Sequence, residues 1–368
     1  MDERDGDDRS VGLAGGVADE RRRAGAVSFE ELSAGLVWPH LLRAVGYSLR
    51  VDVLLLGFLA ALWVFGGGWL LEAGWRGVSD GAGPFGLLRG FWPTGGAIGI
   101  GDRFLIARGE SGSGWTLVLF VLWVAPALGL VGTAASRLIA LDFCAGRRLP
   151  LFGAVRFAVA RAGSVLVFAL AGPAIVAALV VVLWVYGLVF FTTDAMGVVG
   201  ALLFGLALVI GLAAVSAGVV WLAGFCMMPG ALAVEATDGT DALQRSLSYI
   251  TSRTVRFSVY LALAGVVLAV SYAVVQELVR VAIGLAGGVS GADGVPAGSV
   301  RAWLLEGWVQ TVWLVFIGWV IGYLMSVGTI LYLVMRRVVD GHDVREVWVP
   351  GGSVEVDGGI GQDGADSA

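Results

Sequence analysis

The sequence predicts an all-α fold, a polytopic membrane bundle of six transmembrane helices carrying short amphipathic cytoplasmic helices. Three observations lead there. The chain is 58% hydrophobic and only 14% charged, with a mean hydropathy of +0.86, where soluble domains run near 45–50% apolar and about 25% charged. It contains six apolar stretches of the roughly 20 residues a bilayer core requires. Its arginines are concentrated on alternate sides of those stretches, as the positive-inside rule demands.

The spans fall at about 53–71, 115–133, 164–191, 198–227, 257–275 and 308–335. The third, fourth and sixth exceed the membrane's need, which predicts tilt or protrusion. Pro126 and Pro173 lie inside the second and third spans, and each removes a backbone hydrogen bond. Residues 28–349 thus form the membrane domain. Residues 1–27 form an acidic arm ending in the basic run Arg21–Arg23, and 350–368 an acidic, Gly-rich tail, both expected to be disordered. The first two dozen residues lack an apolar core, so no cleavable signal peptide is expected.

Orientation follows from arginine, because the 368 residues contain no lysine. Arg21, Arg22, Arg23, Arg43 and Arg50 precede the first span, and Arg137, Arg147, Arg148, Arg156 and Arg161 join the second to the third. Arg245, Arg253 and Arg256 join the fourth to the fifth, and Arg336, Arg337 and Arg345 follow the sixth. Six spans with both termini in the cytoplasm fit this pattern, and the location implied is the cytoplasmic (inner) membrane. Trp69, Trp75, Trp115, Trp303 and Trp308 gather near the outer ends, as an interfacial belt does. The outer loop 72–114 is long and Gly-rich.

Helix association in lipid relies on close backbone approach. Candidate packing surfaces are Gly318, Gly322 and Ser326 in the sixth span and Gly265, Ala269 and Ala273 in the fifth. In the fourth span the pairs are Ala207 with Gly211 and Ala214 with Gly218. Packing within the bundle is the expectation for all of them, against a dimerising or substrate-lining role.

Chemistry is sparse. No ionisable residue stands near the middle of a span, where each costs several kcal/mol and signals function. Asp52 sits beside Arg50 at an inner mouth, and Asp194, Glu277 and Glu306 lie near outer ends, with Gln276 and Gln310 also peripheral. Gly99–Asp102 matches a GxGD string, but an aspartyl dyad needs a second carboxylate alongside. Gly288–Gly291 matches GxSG, but a serine nucleophile needs a base, and the two histidines, His40 and His342, sit on the other side. Asp340, His342 and Asp343 make a poor metal site with a single histidine. Cys144 and Cys226 fit no metal or redox spacing. No catalytic residue, cofactor or metal ligand is assigned, and the net charge of −5 does not point to nucleic acid.

The connections are more informative. Ser28 and Glu31 form a capping-box pattern, and 146–161 reads as a short helix started by Pro150. In 235–253 Asp238 is placed to cap a helix whose Leu243, Leu247 and Ile250 share a face. Three such aliphatics contribute at most about 5–8 kcal/mol, less than ordering a dozen residues costs. The helix therefore needs the headgroup interface or a groove among the spans, with Arg245 and Arg253 directed at lipid phosphates or helix ends.

The run from Met227-Met228-Pro229 through Glu235 to Gly239, Ala242, Leu243, Arg245 and Ser246, placed between two spans, resembles a recurring bacterial pattern. It is similar to the elbow of uncharacterised six-span integral membrane proteins, and of the membrane domain attached to some glycerophosphodiester phosphodiesterases. The resemblance implies a fold and no activity, since the acidic metal ligands of a phosphodiesterase domain are not in this chain. The segment 154–161 also partially echoes 242–253, suggesting a repeated span–elbow–span unit. The function expected is a non-enzymatic membrane protein that organises lipids or protein partners, a second copy of itself included. The alternative is a permease or lipid-handling transporter.

Overall fold

A computed structural model describes residues 39–68, 114–192, 194–291, 295–296 and 299–341, together with a two-residue pairing of Trp348–Val349 with Gly352–Ser353. The 1–27 arm, the Ser28–Glu31 capping pattern, the Gly99–Asp102 string, residues 342–343 and the end of the tail lie outside the described residues.

The described chain is helical apart from that short pairing. Helix α1 is Pro39–Ser48, and α2 runs Val51–Ala61 and on through a widened π turn, Leu62–Gly67. Then come α3 (Gly114–Ala145), α4 (Leu151–Ala160), α5 (Ala162–Phe190) and α6 (Asp194–Phe225). The rest are α7 (Met228–Glu235), α8 (Gly239–Ser252), α9 (Thr254–Ser290) and α10 (Val300–Asp340). Among the described residues five helices are long and apolar enough to cross a membrane, and the count reaches six if α1 and α2, bent by 77°, make one span. The protein is an all-α polytopic bundle.

The spans overrun their predicted limits. α9 continues to Ser290 and α10 covers Val300–Asp340. Helix α3 contains the expected 115–133 and continues past it to Ala145. Pro126 and Pro173 sit within continuous helices.

Helix α10 is the hub, packed against α1, α2, α3, α7, α8 and α9. Its closest neighbour is α2, and glycine is the reason. A Cβ added to Gly318 would lie 2.5 Å from the Phe58 nitrogen and 2.8 Å from the Gly57 carbonyl carbon. Only hydrogen on both helices lets the backbones meet. One turn on, Gly322 faces Val53, and Ser326 is buried with its hydroxyl donating to the Gly322 carbonyl at 2.7 Å. Thr329 Oγ1 lies 2.7 Å from the Met325 carbonyl and 2.8 Å from Ser136 Oγ, so these buried hydroxyls of α10 and α3 satisfy each other.

The hairpin of α5 and α6 attaches to this core through α3, where Gly129 admits Val165 and Phe168. Ala207 and Ala214 are buried on α6, and Gly211 and Gly218 face Leu183 and Val176 of α5. By contrast, Gly265 and Ala269 are exposed on α9, and a Cβ on Gly265 would meet nothing within 4 Å. The expectation that this pair packs inside the bundle is corrected: the buried residues of α9 are Phe257, Ala264 and Gln276 instead. The outward surfaces of α5, α6 and α9 are largely aliphatic, from Val180 and Leu212 to Val266 and Leu278, as lipid requires. Trp303 and Trp308 are exposed at the far end of α10.

Candidate functional site

The polar centre of the molecule lies where the elbow helices meet the bundle, and α7 organises it. After α6 the chain turns at Cys226–Met227, and Pro229, whose fixed φ suits a first helical turn, starts α7. Residues Met228–Val234 are all buried. Small side chains make this possible: a Cβ on Gly230 would lie 3.0 Å from Thr329 Cα, and Gly132 of α3 accommodates Pro229 and Met325. The helix stops at Ala236, which takes the left-handed conformation at φ 55°.

A helix that ends inside a protein leaves carbonyls without partners. Two arginines supply the donors. Arg137, 3% exposed in α3, donates from Nη1 to the Ala233 carbonyl at 2.6 Å. Arg161 donates from Nη1 to the Ala236 carbonyl and, at 3.2 Å, to that of Thr237. Both guanidinium groups lie over the Phe157 ring of α4, at 4.8 and 4.9 Å from its centroid. The ring thus stabilises two like charges that also complement the negative end of the α7 dipole.

Glu235, the last residue of α7, is the second anchor. Its side chain is 7% exposed and takes three partners. Arg245 of α8 forms an ion pair with Oε2, and Arg336 of α10 places Nε 3.4 Å from Oε1. The Tyr332 hydroxyl donates to Oε1 at 2.6 Å. Beside it the Tyr249 hydroxyl of α8 donates to Asp340, and the Tyr249 and Tyr332 rings stand 5.6 Å apart. Burial, then the hydrogen bond to Asp340 and the charges of Asp340 and Glu235, hold the Tyr249 phenol neutral well above its ordinary range. For Arg245, burial opposes the charge, but Glu235 outweighs it and raises its pKa. The arrangement is a closed set of charge pairs fastening α7, α8 and α10.

The expected elbow residues divide accordingly. Asp238 is the N-cap of α8, although its side chain makes no capping bond, and Asp241 is in the first turn. The fully buried face is Gly239, Ala242, Ser246, Tyr249 and Ile250. Leu243 and Leu247 are only half buried at its edge, with Leu247 and Ile250 against Gly224 of α6. Small residues govern this seat, because a Cβ on Gly239 would lie 2.7 Å from the Ser164 carbonyl carbon of α5. The anticipated role of Arg245 as a partner of lipid or helix ends is therefore replaced by pairing with Glu235. Arg253 remains exposed.

Among the described residues, no three or more His, Cys, Asp or Glu side chains cluster as a metal site. Cys144 is buried and Cys226 half-buried, and neither is in a disulfide. Ser290 ends α9, its hydroxyl 3.4 Å from the Gly287 carbonyl. Sequence reasoning missed α7, Arg137 and the two tyrosines. The usable signals were Pro229 at a helix start and the lone acid Glu235 between two spans.

The fold and this centre define a multi-pass membrane protein with elbow helices clamped to its core. Comparison with family models, with curated proteins and with solved structures finds no match to this chain.

Proposed function

We propose that this is a non-enzymatic integral membrane protein that organises lipids at one face of the cytoplasmic membrane. One observation carries the reading: the buried charges at the elbow end close on one another and on helix ends, and so serve as a clamp. Glu235 meets Arg245, Arg336 and Tyr332, and Arg50 meets Asp52 and Asp142, both at 2.7 Å. What is left for the surroundings is an apolar perimeter edged with exposed arginines, Arg43, Arg147, Arg148, Arg156, Arg253, Arg256 and Arg337. That edge supports a cytoplasmic orientation of the elbows and favours anionic lipid. The likeness of the elbow to the membrane domain of some glycerophosphodiester phosphodiesterases agrees with a lipid-facing role.

A second reading, a lipid-handling permease, is favoured by α7, a short broken helix buried between α3 and α10 as transporters use to build sites. Reconstitution separates the two. The organiser retains anionic lipids through purification and does not move fluorescent lipid between leaflets. Transbilayer movement above that of protein-free vesicles would overturn it in favour of the permease.

A further inference from the structure

Three long helices begin in the same way. Helices α2, α5 and α9 each follow a short elbow helix, α1, α4 and α8, and each is N-capped by an arginine: Arg50, Arg161 and Arg253. In each the arginine carbonyl accepts from the N–H four residues on, from Leu54 at 2.8 Å, Val165 at 3.0 Å and Phe257 at 2.9 Å. Each elbow buries a small pair four residues apart, Ala44 with Ser48, Ala154 with Ala158, and Ala242 with Ser246. Each unit closes with a return helix, α3, α6 or α10. The chain repeats one elbow–span–return unit three times.

Arginine is a poor residue for that position. It has no acceptor for the helix N–H groups, and it puts positive charge at the positive end of the dipole. Two of the three units answer the charge internally. Arg50 is met by Asp52 and Asp142, and Arg161 by the carbonyls ending α7. The Arg253 side chain is exposed and makes no hydrogen bond or ion pair among the described residues, and the same holds for the side chain of Arg256 three positions on. Between them Val255 is 79% exposed. Val255, Val259, Val266 and Val270 continue as one exposed stripe along α9, flanked by the flat strip of Gly265 and Ala269.

We propose that the missing anion is the phosphate of an anionic phospholipid, held by Arg253 and Arg256 with an acyl chain along that stripe. The guanidiniums stand where the apolar face of α9 begins, which is headgroup depth, and each offers a planar fork to phosphate oxygens. The inference rests on the lipid-organising reading and assigns it a site.

The test uses the full chain in nanodiscs of phosphatidylcholine with and without phosphatidylglycerol, with retained lipid counted by native mass spectrometry. Arg253→Gln/Arg256→Gln is compared with Arg301→Gln, an exposed arginine at the far end of α10, away from the elbow edge. The wild type retains phosphatidylglycerol preferentially, the first variant loses that preference by about tenfold or more, and the second keeps it, with unchanged melting temperatures throughout. Retention by the first variant equal to the wild type overturns the site while leaving the lipid-organising reading intact. A wild type indifferent to phosphatidylglycerol overturns both. Displacement of the lipid by equimolar inorganic phosphate overturns the lipid as the source of the phosphate.

Discussion

Gly318→Ala adds one methyl group to the backbone-to-backbone contact of α2 and α10. The new Cβ would stand 2.5 Å from the Phe58 nitrogen, whereas ordinary van der Waals contact begins at 3.4 Å. Backbone cannot rotate away as a side chain can, so α2 and α10 must part by about 1 Å, enough to forfeit a quarter to a half of the attraction across the gap. Overpacking of this kind costs about 1–3 kcal/mol, and the melting temperature of detergent-solubilised protein should fall by roughly 2–4 °C per kcal/mol. Buried Cys144 provides the readout, because its thiol becomes reactive on unfolding. Gly265→Ala is the control. Nothing lies within 4 Å of its added methyl, and alanine is favoured over glycine in a helix by up to about 1 kcal/mol, so the melt should stay or rise. Equal losses at the two sites, or an unchanged Gly318→Ala melt, would refute the α2–α10 contact.

Four further substitutions probe the elbow clamp. Glu235→Ala removes the carboxylate that Arg336, 12% exposed, faces, and should destabilise by about 3 kcal/mol. Arg245→Ala removes a half-exposed partner and should cost nearer 1 kcal/mol; the same melt ranks them. Gly239→Ala drives a methyl into the Ser164 backbone and should lift α8 off α5, read as faster tryptic cleavage at Arg253. The raised pKa of Tyr249 gives a pH dependence with a definite sign. The unfolded phenol ionises near 10 and the folded one higher, so this contribution is complete below pH 10 and is lost as pH rises from there through the folded value. Tyr249→Phe should flatten the alkaline limb of a stability profile; an unchanged limb would count against the Tyr249–Asp340 bond.

Hydropathy made the fold class legible because lipid-facing helices such as α5, α6 and α9 must be apolar along their length. It ended the α3 span at 133, short of the helix end at Ala145, for a related physical reason. The second half of α3 is enclosed by protein, so Thr133, Ser136 and Arg137 are tolerated there through tertiary partners that a lipid-based reading penalises. Helix α7 was hidden likewise, since Met228–Val234 reads as the end of a span. The small-residue pattern identified Gly318 and Gly265 alike, but which of them meets another helix depends on how α9 is rotated, and local sequence does not encode that. For α8 the spacing located the helix and approximately its buried side. The centre of the face, Ala242, Ser246 and Tyr249, lies beside the leucines because close approach to α5 excludes larger side chains.

The central claim is that the elbow helices are clamped into the bundle and do not float on the membrane surface. Hydrogen exchange of the α8 amides in nanodiscs tests it most directly. Clamped elbows predict that Ala242–Ile250 exchange as slowly as the elbow end of α10, and that Glu235→Gln accelerates α8 selectively. Fast exchange of α8 in the wild-type protein, unaffected by Glu235→Gln, would contradict it.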